Sequence, residues 1–170
     1  LYIQYNKMDY LSKDIVIIIF KYDPKSCKLL NKKFYSCSTK LNIFKNGITS
    51  KILNSFPYSK IYSLNLNSNI YINNEDLKKL SNLTCLSLSC NNNITDEGIK
   101  DLSNLKRLSL FQNDKISGNA IKDLNNLKYL DYRGINGNNN NLLDNKVANK
   151  LKKNNCKIIL YDLNKRTVIY

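Results

Sequence analysis

The sequence predicts an α/β chain: a short solenoid of parallel strands and helices, capped by a small N-terminal helical segment. Three observations lead there. The 170 residues are 42% hydrophobic and 24% charged, a globular composition sized for one ordinary domain or two small ones. Three segments, starting at Ile61, Leu83 and Leu105, align without a gap at a spacing of 22 residues. Within each copy the apolar spacing changes from two residues to three, the mark of a strand followed by a helix.

Taken in chain order, residues 8–38 come first. Leu11, Ile15, Ile18 and Ile19 suit a buried helical stripe beside Phe20, and Ser12 and Asp14 are helix-start residues. By propensity alone the same isoleucine run suits a strand. Asp23-Pro24 is a second helix start, so two or three short helices are expected. The chain opens on Leu1, consistent with a fragment or with a natural start at Met8. Residues 39–60 read as a linker or a degenerate first repeat. Ile48, Ile52, Leu53 and Phe56 suit a short helix that Pro57 stops.

The repeats occupy 61–82, 83–104 and 105–126. The first carries Ile61, Leu64, Leu66, Asn69, Ile72, Leu77 and Leu80. The second carries Leu83, Leu86, Leu88, Asn91, Ile94, Ile99 and Leu102, and the third Leu105, Leu108, Leu110, Asn113, Ile116, Ile121 and Leu124. The second and third residues of each set alternate along a strand and point to one side. The last two lie one helical turn apart and point to one helix face. One copy cannot bury that surface, but stacked copies can. Asn69, Asn91 and Asn113 fall where the chain leaves the strand, and an amide there can satisfy turn backbone of neighbouring copies. Thr95 reads as an N-cap, with Asp96 and Glu97 suiting the helix start. Residues 127–153 form an irregular fourth repeat. Its strand holds Leu127, Leu130 and Tyr132, a loop runs through Gly137–Asn141, and a helix is expected around Val147–Leu151. Residues 154–170 are expected to close the stack, with a strand around Lys157–Asp162.

Composition excludes more than it selects. Without histidine there is no His-based triad, metal site or acid/base pair. Cys27, Cys37, Cys85, Cys90 and Cys156 form no CxxC, and no metal or cofactor is expected. No signal peptide is legible at the start, and the longest apolar run, Ile15 to Phe20, is too short for a membrane span. Reduced thiols and an intracellular, cytoplasmic location are the expectation. The net charge of +14 comes from 24 lysines and only three arginines against 13 acids. With 29 asparagines beside them, the lysines read as AT-rich coding bias on a solvated surface. The smaller alternative is a basic patch that steers an acidic partner.

The LxxLxLxxN pattern over 61–133 resembles the leucine-rich repeat family. The segment 94–105, with Cys90 ahead of it, looks like the short cysteine-containing subtype that commonly follows an F-box. Leu11, Asp14-Ile15, Ile19-Phe20, Tyr22, Asp23-Pro24 and Leu30 to Tyr35 in turn resemble an F-box. Ser12 stands where that family has Pro, the Leu after Tyr22 is missing, and the stretch Asp23 to Asn31 is about three residues short, nearly one helical turn. The Asn- and Lys-rich style looks like proteins of giant viruses of amoebae, which would place the protein in host cytoplasm. The resemblance implies a substrate-recognition subunit of a cullin-type (SCF) ubiquitin ligase. Leu11, Ile15, Ile19 and Phe34 would then contact the ligase adaptor or form the core beside it.

A protein substrate would meet the repeat strands. The outward residues on the first two strands, Ser63, Asn65, Asn67, Cys85, Ser87 and Ser89, are small. The next two carry Arg107, Phe111, Tyr129, Asp131 and Arg133, including types enriched at binding hot spots. Four strands project roughly 300 Å², against about 800 Å² per partner in a standard interface. The 134–141 loop, the C-terminal tail or a short peptide partner would have to make up the difference. Alternatives are a leucine-rich interaction protein with no ubiquitin link and a basic nucleic-acid binder, which the scattered lysines argue against. An enzyme is the weakest reading: GxSxG, P-loop, GxGxxG and metal spacings are all missing.

Overall fold

The structure, a computed structural model, describes residues 15–19, 40–44, 48–54, 56–133, 143–162 and 165–169. Eight strands form one sheet in chain order. They are β1 Ile15–Ile19, β2 Lys40–Phe44, β3 Ile61–Asn65, β4 Cys85–Ser87, β5 Arg107–Phe111, β6 Tyr129–Arg133, β7 Lys157–Asp162 and β8 Lys165–Ile169. β1 to β7 run parallel, and β8 turns back antiparallel on β7. Parallel neighbours need a crossover, and among the described residues five crossovers hold a helix: α1 Ser50–Leu53, α2 Asn74–Lys78, α3 Asp96–Ile99, α4 Gly118–Ile121 and α5 Asn145–Lys153. Four of the five are a single turn, all that a 22-residue unit leaves after its strand and two bends.

The first element corrects an expectation. Ile15–Ile19 is strand β1, not a helix. All five residues are β-branched, which costs side-chain freedom in a helix and suits a pleated strand. Pairing with β2 from Ile15↔Lys40 to Ile19↔Phe44 fixes the outcome. Leu11, Phe34 and the rest of 8–38 lie outside the described residues. Residues 39–60 supply β2, α1 and a 3-10 turn at Tyr58–Lys60, with Thr49 capping α1 through Ile52 N at 3.4 Å.

The core is the stacked set of repeat leucines and isoleucines, from Ile48 to Ile158, nearly all fully buried. Each such side chain contributes roughly 1.5–3 kcal/mol on burial. Three rows of polar groups bind one copy to the next. Asn91 Nδ2 donates to Leu66 O at 3.0 Å and Asn69 O at 2.9 Å, while its Oδ1 accepts from Asn93 N and Ile94 N at 3.0 Å. Asn113 repeats the arrangement on Leu88 O, Asn91 O, Lys115 N and Ile116 N. Asn69 reaches back to Ile48 O at 2.8 Å. A second row, absent from the sequence reading, is Asn82, Asn104 and Asn126. Each donates at 2.9 Å to the carbonyl of Ser59, Ser81 or Ser103 in the copy before.

The third row joins helix starts. Thr95 N donates to Asn74 Oδ1 at 3.0 Å, and Thr95 Oγ1 accepts from Asn74 Nδ2 at 2.9 Å. Ser117 N and Oγ donate to the Asp96 carboxylate at 2.6 and 2.5 Å. Ser50 Oγ donates to Asp76 Oδ2 at 2.6 Å, and Asp76 closes a capping box with Asn73. Thr95 therefore occupies the cap position but gives its hydroxyl to the neighbouring copy, with no side-chain bond into its own helix.

Two predictions follow from these rows. Replacing Asn91 with Ala removes two bonds to carbonyls and leaves Ile94 N without its buried acceptor, while Leu66 O keeps its bond from Asn69 N. It should cost about 3–5 kcal/mol by urea denaturation, while exposed Asn104→Ala should cost about 1 kcal/mol or less. Gly98→Ala should also destabilise, by about 1–2 kcal/mol. Its new methyl would sit 2.6 Å from Asn74 Oδ1 and 2.9 Å from Ile94 Cγ2. Gly118→Ala meets only ordinary contacts, the nearest Val147 Cγ2 at 3.6 Å, and should be neutral or gain up to about 1 kcal/mol.

Candidate functional site

Alternation sends the leucines of β3 to β6 inward and leaves the intervening residues on the opposite face. Parallel register sets them in rows. One row runs Ser63↔Cys85↔Arg107↔Tyr129↔Lys157. The next runs Asn65↔Ser87↔Ser109↔Asp131↔Ile159. Their members from Ser63 to Tyr129 and from Asn65 to Ser109 line an open groove of about 360 Å³.

The groove has a half of small side chains and a half of larger, charged and aromatic ones. On the β3–β4 side, Asn67 Oδ1 accepts from Ser87 Oγ at 2.6 Å and Ser89 N at 2.8 Å, and Ser89 Oγ lies 3.2 Å from Ser109 Oγ. This polar floor binds itself. On the β5–β6 side, exposed Arg107 stacks over the half-buried Tyr129 ring, its guanidinium carbon 4.9 Å from the centroid. Such a contact contributes about 0.5–1 kcal/mol at an exposed site and holds the guanidinium plane still. Asp131 accepts from Ser109 Oγ at 3.4 Å. Phe111, half-buried, ends β5. Arg133 lies in β6, paired by register with Phe111, and its side chain is outside the described residues.

Arg107, Tyr129 and Asp131 thus share the groove or its rim, and Phe111 sits one row beyond. Leu11 and Phe34 fall outside the described residues, and Ile15 and Ile19 are the ends of β1. The sequence reading missed Lys157, which extends the Arg107–Tyr129 row. It also missed Ile159, buried at 1% exposure although it pairs with Asp131. Neither was legible without the β6–β7 register.

The acids at the helix starts have structural partners. Glu75 and Glu97 pair with Lys78 and Lys100 at 2.6 Å on the surface. The Lys100 ammonium, by hydrogen bond and by charge, holds the Glu97 carboxyl below its usual range. Asp76 and Asp96 are taken by the cap row. Among the described residues no cluster of His, Cys, Asp or Glu could hold a metal ion, and no helix is long and apolar enough to cross a membrane.

Residues 79–103 match the family described as Leucine Rich repeat. The fold is a leucine-rich-repeat solenoid. Among solved structures, the chain is similar to an internalin (inlF) from Listeria monocytogenes, at 20% identity and a TM-score of 0.47. That match covers 89% of this chain and 44% of the internalin, so the chain spans less than half of that structure's length. The comparison with curated proteins gave no match. The leucine-rich-repeat match supports a protein-binding module.

Thiol chemistry reads this face directly. Cys90 is exposed beyond the end of β4, Cys85 is half-buried on the groove floor, and Cys156 is buried. Burial pushes the Cys156 thiol up to about 11, with the Lys128 charge opposing. Among the described cysteines, iodoacetamide at neutral pH should therefore label Cys90 first, Cys85 more slowly, and Cys156 only on unfolding. Mass spectrometry of the labelled peptides checks the order. The protonated thiol is favoured in the folded state, so this group's contribution should fall as pH rises through the window from about 9 to about 11.

Proposed function

We propose that the chain is a non-enzymatic receptor that holds a segment of a partner protein against the strand face of its leucine-rich-repeat sheet. The observation that carries this is the groove itself. Small side chains at Ser63 and Cys85 leave room beside an Arg107–Tyr129 stack, the residue types that concentrate binding energy. Eight strands also widen the projected face to roughly 600 Å², twice the four-strand figure, though still below about 800 Å². A peptide segment fits that area better than a large globular surface.

A finer reading makes the chain an intracellular substrate-recognition subunit of a cullin-type ubiquitin ligase. Its support is the order of residues from Leu11 to Tyr35, which resembles an F-box. The strand at Ile15–Ile19 weighs against it, because that family docks on its adaptor through a helix bundle.

Peptides selected from a displayed library against the folded chain test the receptor reading. They should slow alkylation of Cys85 but not of Cys90, and Ser63→Trp should abolish binding while Ser103→Trp leaves it intact. Selected peptides indifferent to Ser63→Trp would place binding elsewhere and overturn it. A pull-down with the ligase adaptor, beside a Leu11→Asp, Ile15→Asp variant, tests the finer reading: no adaptor bound by a folded chain removes it.

A further inference from the structure

We infer that the strand-face groove selects a carboxylate-bearing segment of its partner, read by Arg107 and Lys157 across the Tyr129 ring. This rests on the receptor reading above and adds the chemistry of the occupant. Four observations carry it.

The first is the row itself. Arg107, Tyr129 and Lys157 are register neighbours on β5, β6 and β7, so two cationic residues flank one tyrosine on strands about 10 Å apart. Both cations are exposed. The second is the state of Arg107. Its guanidinium lies on the Tyr129 ring, and among the described residues no carboxylate pairs with it. A stacked guanidinium still presents N–H donors at its edge, in a fork that matches a carboxylate.

The third is the exhaustion of backbone donors. Backbone N–H groups of the strands are spent on the parallel ladder, which continues past the strand ends through Leu66 N to Ser87 O and Leu88 N to Ser109 O, both 2.8 Å. Ser87 Oγ donates to Asn67 Oδ1, and Ser89 Oγ lies against Ser109 Oγ. Recognition on this face therefore falls to side chains, and the charged donors among the described ones are Arg107 and Lys157. The fourth is charge placement. Asp131 is the one acid on the described part of the face, sits in the adjacent row and accepts from Ser109. The described charges of the Arg107 row are all positive. The chain's net charge of +14 reinforces the attraction at longer range.

A nucleic acid fits the same evidence less well. Its bases need an open aromatic platform, and the Tyr129 ring is already covered by Arg107. Nothing on the face gathers backbone N–H groups into a phosphate cradle.

The test uses a fluorescein-labelled peptide alternating Glu and Ala, beside one alternating Gln and Ala, with the whole chain at physiological salt. The Glu peptide should bind at least about tenfold more tightly and should slow Cys85 alkylation. Arg107→Glu should remove that advantage, and Arg107→Lys should keep only part of it, since the charge stays and the planar fork goes. Lys152→Glu on α5 makes the same change in net charge and should alter affinity by less than about twofold. Thermal unfolding of each variant separates loss of binding from loss of fold. Equal binding of the two peptides overturns the inference, and so does an equal loss in Arg107→Glu and Lys152→Glu, which would mean attraction to net charge alone. A mixed-sequence single-stranded oligonucleotide that binds more tightly than the Glu peptide and depends on Arg107 overturns it in favour of nucleic acid. If the Gln peptide protects Cys85 as well as the Glu peptide does, charge selection falls while the receptor reading stands.

Discussion

Everything in this solenoid hangs on a buried amide that spends both of its donors and both of its acceptor sites. Asn91 and Asn113 sit at 0% and 1% exposure. A polar side chain in such a place is destabilising unless fully bonded. Here the donors go to carbonyls of the preceding copy, and the acceptor oxygen takes the two amides that open the next bend. One residue therefore sets the turn within a copy and the spacing between copies. The residue just before it bears the strain: Ser68, Cys90 and Gln112 hold φ of 52°, 54° and 53° without being glycine. Such a conformation costs roughly 1 kcal/mol or more, and the amide bonds hold it in place. Since each copy touches only its neighbours, stability is approximately a sum of copy and interface terms. The asparagine row is the part of the interface term that demands one register.

That explains why the repeated part of the fold was legible. A pattern that must satisfy the same bonds in three successive copies has to repeat its residues. Leu64, Leu86 and Leu108 fall in register neighbours, as do the serines two positions before Ser89 and Phe111. The misreading at Ile15–Ile19 has the opposite cause. That strand lies 25 residues before β2, off the 22-residue spacing, so no second copy could arbitrate between a helical stripe and a strand. The Asn82, Asn104 and Asn126 row was visible as a period, but a residue in an exposed turn reads as a turn former until its bond across copies is seen. For the groove, the outward alternation named Arg107 and Tyr129. Their contact with each other, and the arrival of Lys157 beside them, depended on the β6–β7 pairing that an irregular fourth repeat conceals.

The same ladder shapes what the face can do. The face of a parallel sheet with every strand paired offers a partner no backbone donors, so the specificity of that face is written in side chains that nothing in the core constrains. Outward positions can change without disturbing the leucines or the asparagines. In β3 and β4 they are serine, cysteine and asparagine, and the floor bonds to itself. In β5 and β6 they enlarge into a stacked arginine, a tyrosine and an aspartate. The contrast lies along a surface whose backbone is nearly identical from strand to strand, so it reflects composition rather than geometry.

The two ends of the sheet differ in the same chemical sense. A growing parallel stack has no natural stop, because each new copy presents the next ladder. At the C-terminal end the chain stops it by reversing: β8 pairs antiparallel with β7, from Ile158↔Ile169 to Asp162↔Lys165. That last strand opens with Lys165 and Arg166, and charges on an edge strand oppose pairing with another chain. At the other end β1 reads Ile-Val-Ile-Ile-Ile, with no charge, proline or glycine to discourage a further strand. An edge of that composition favours strand addition, where the charges of β8 oppose it.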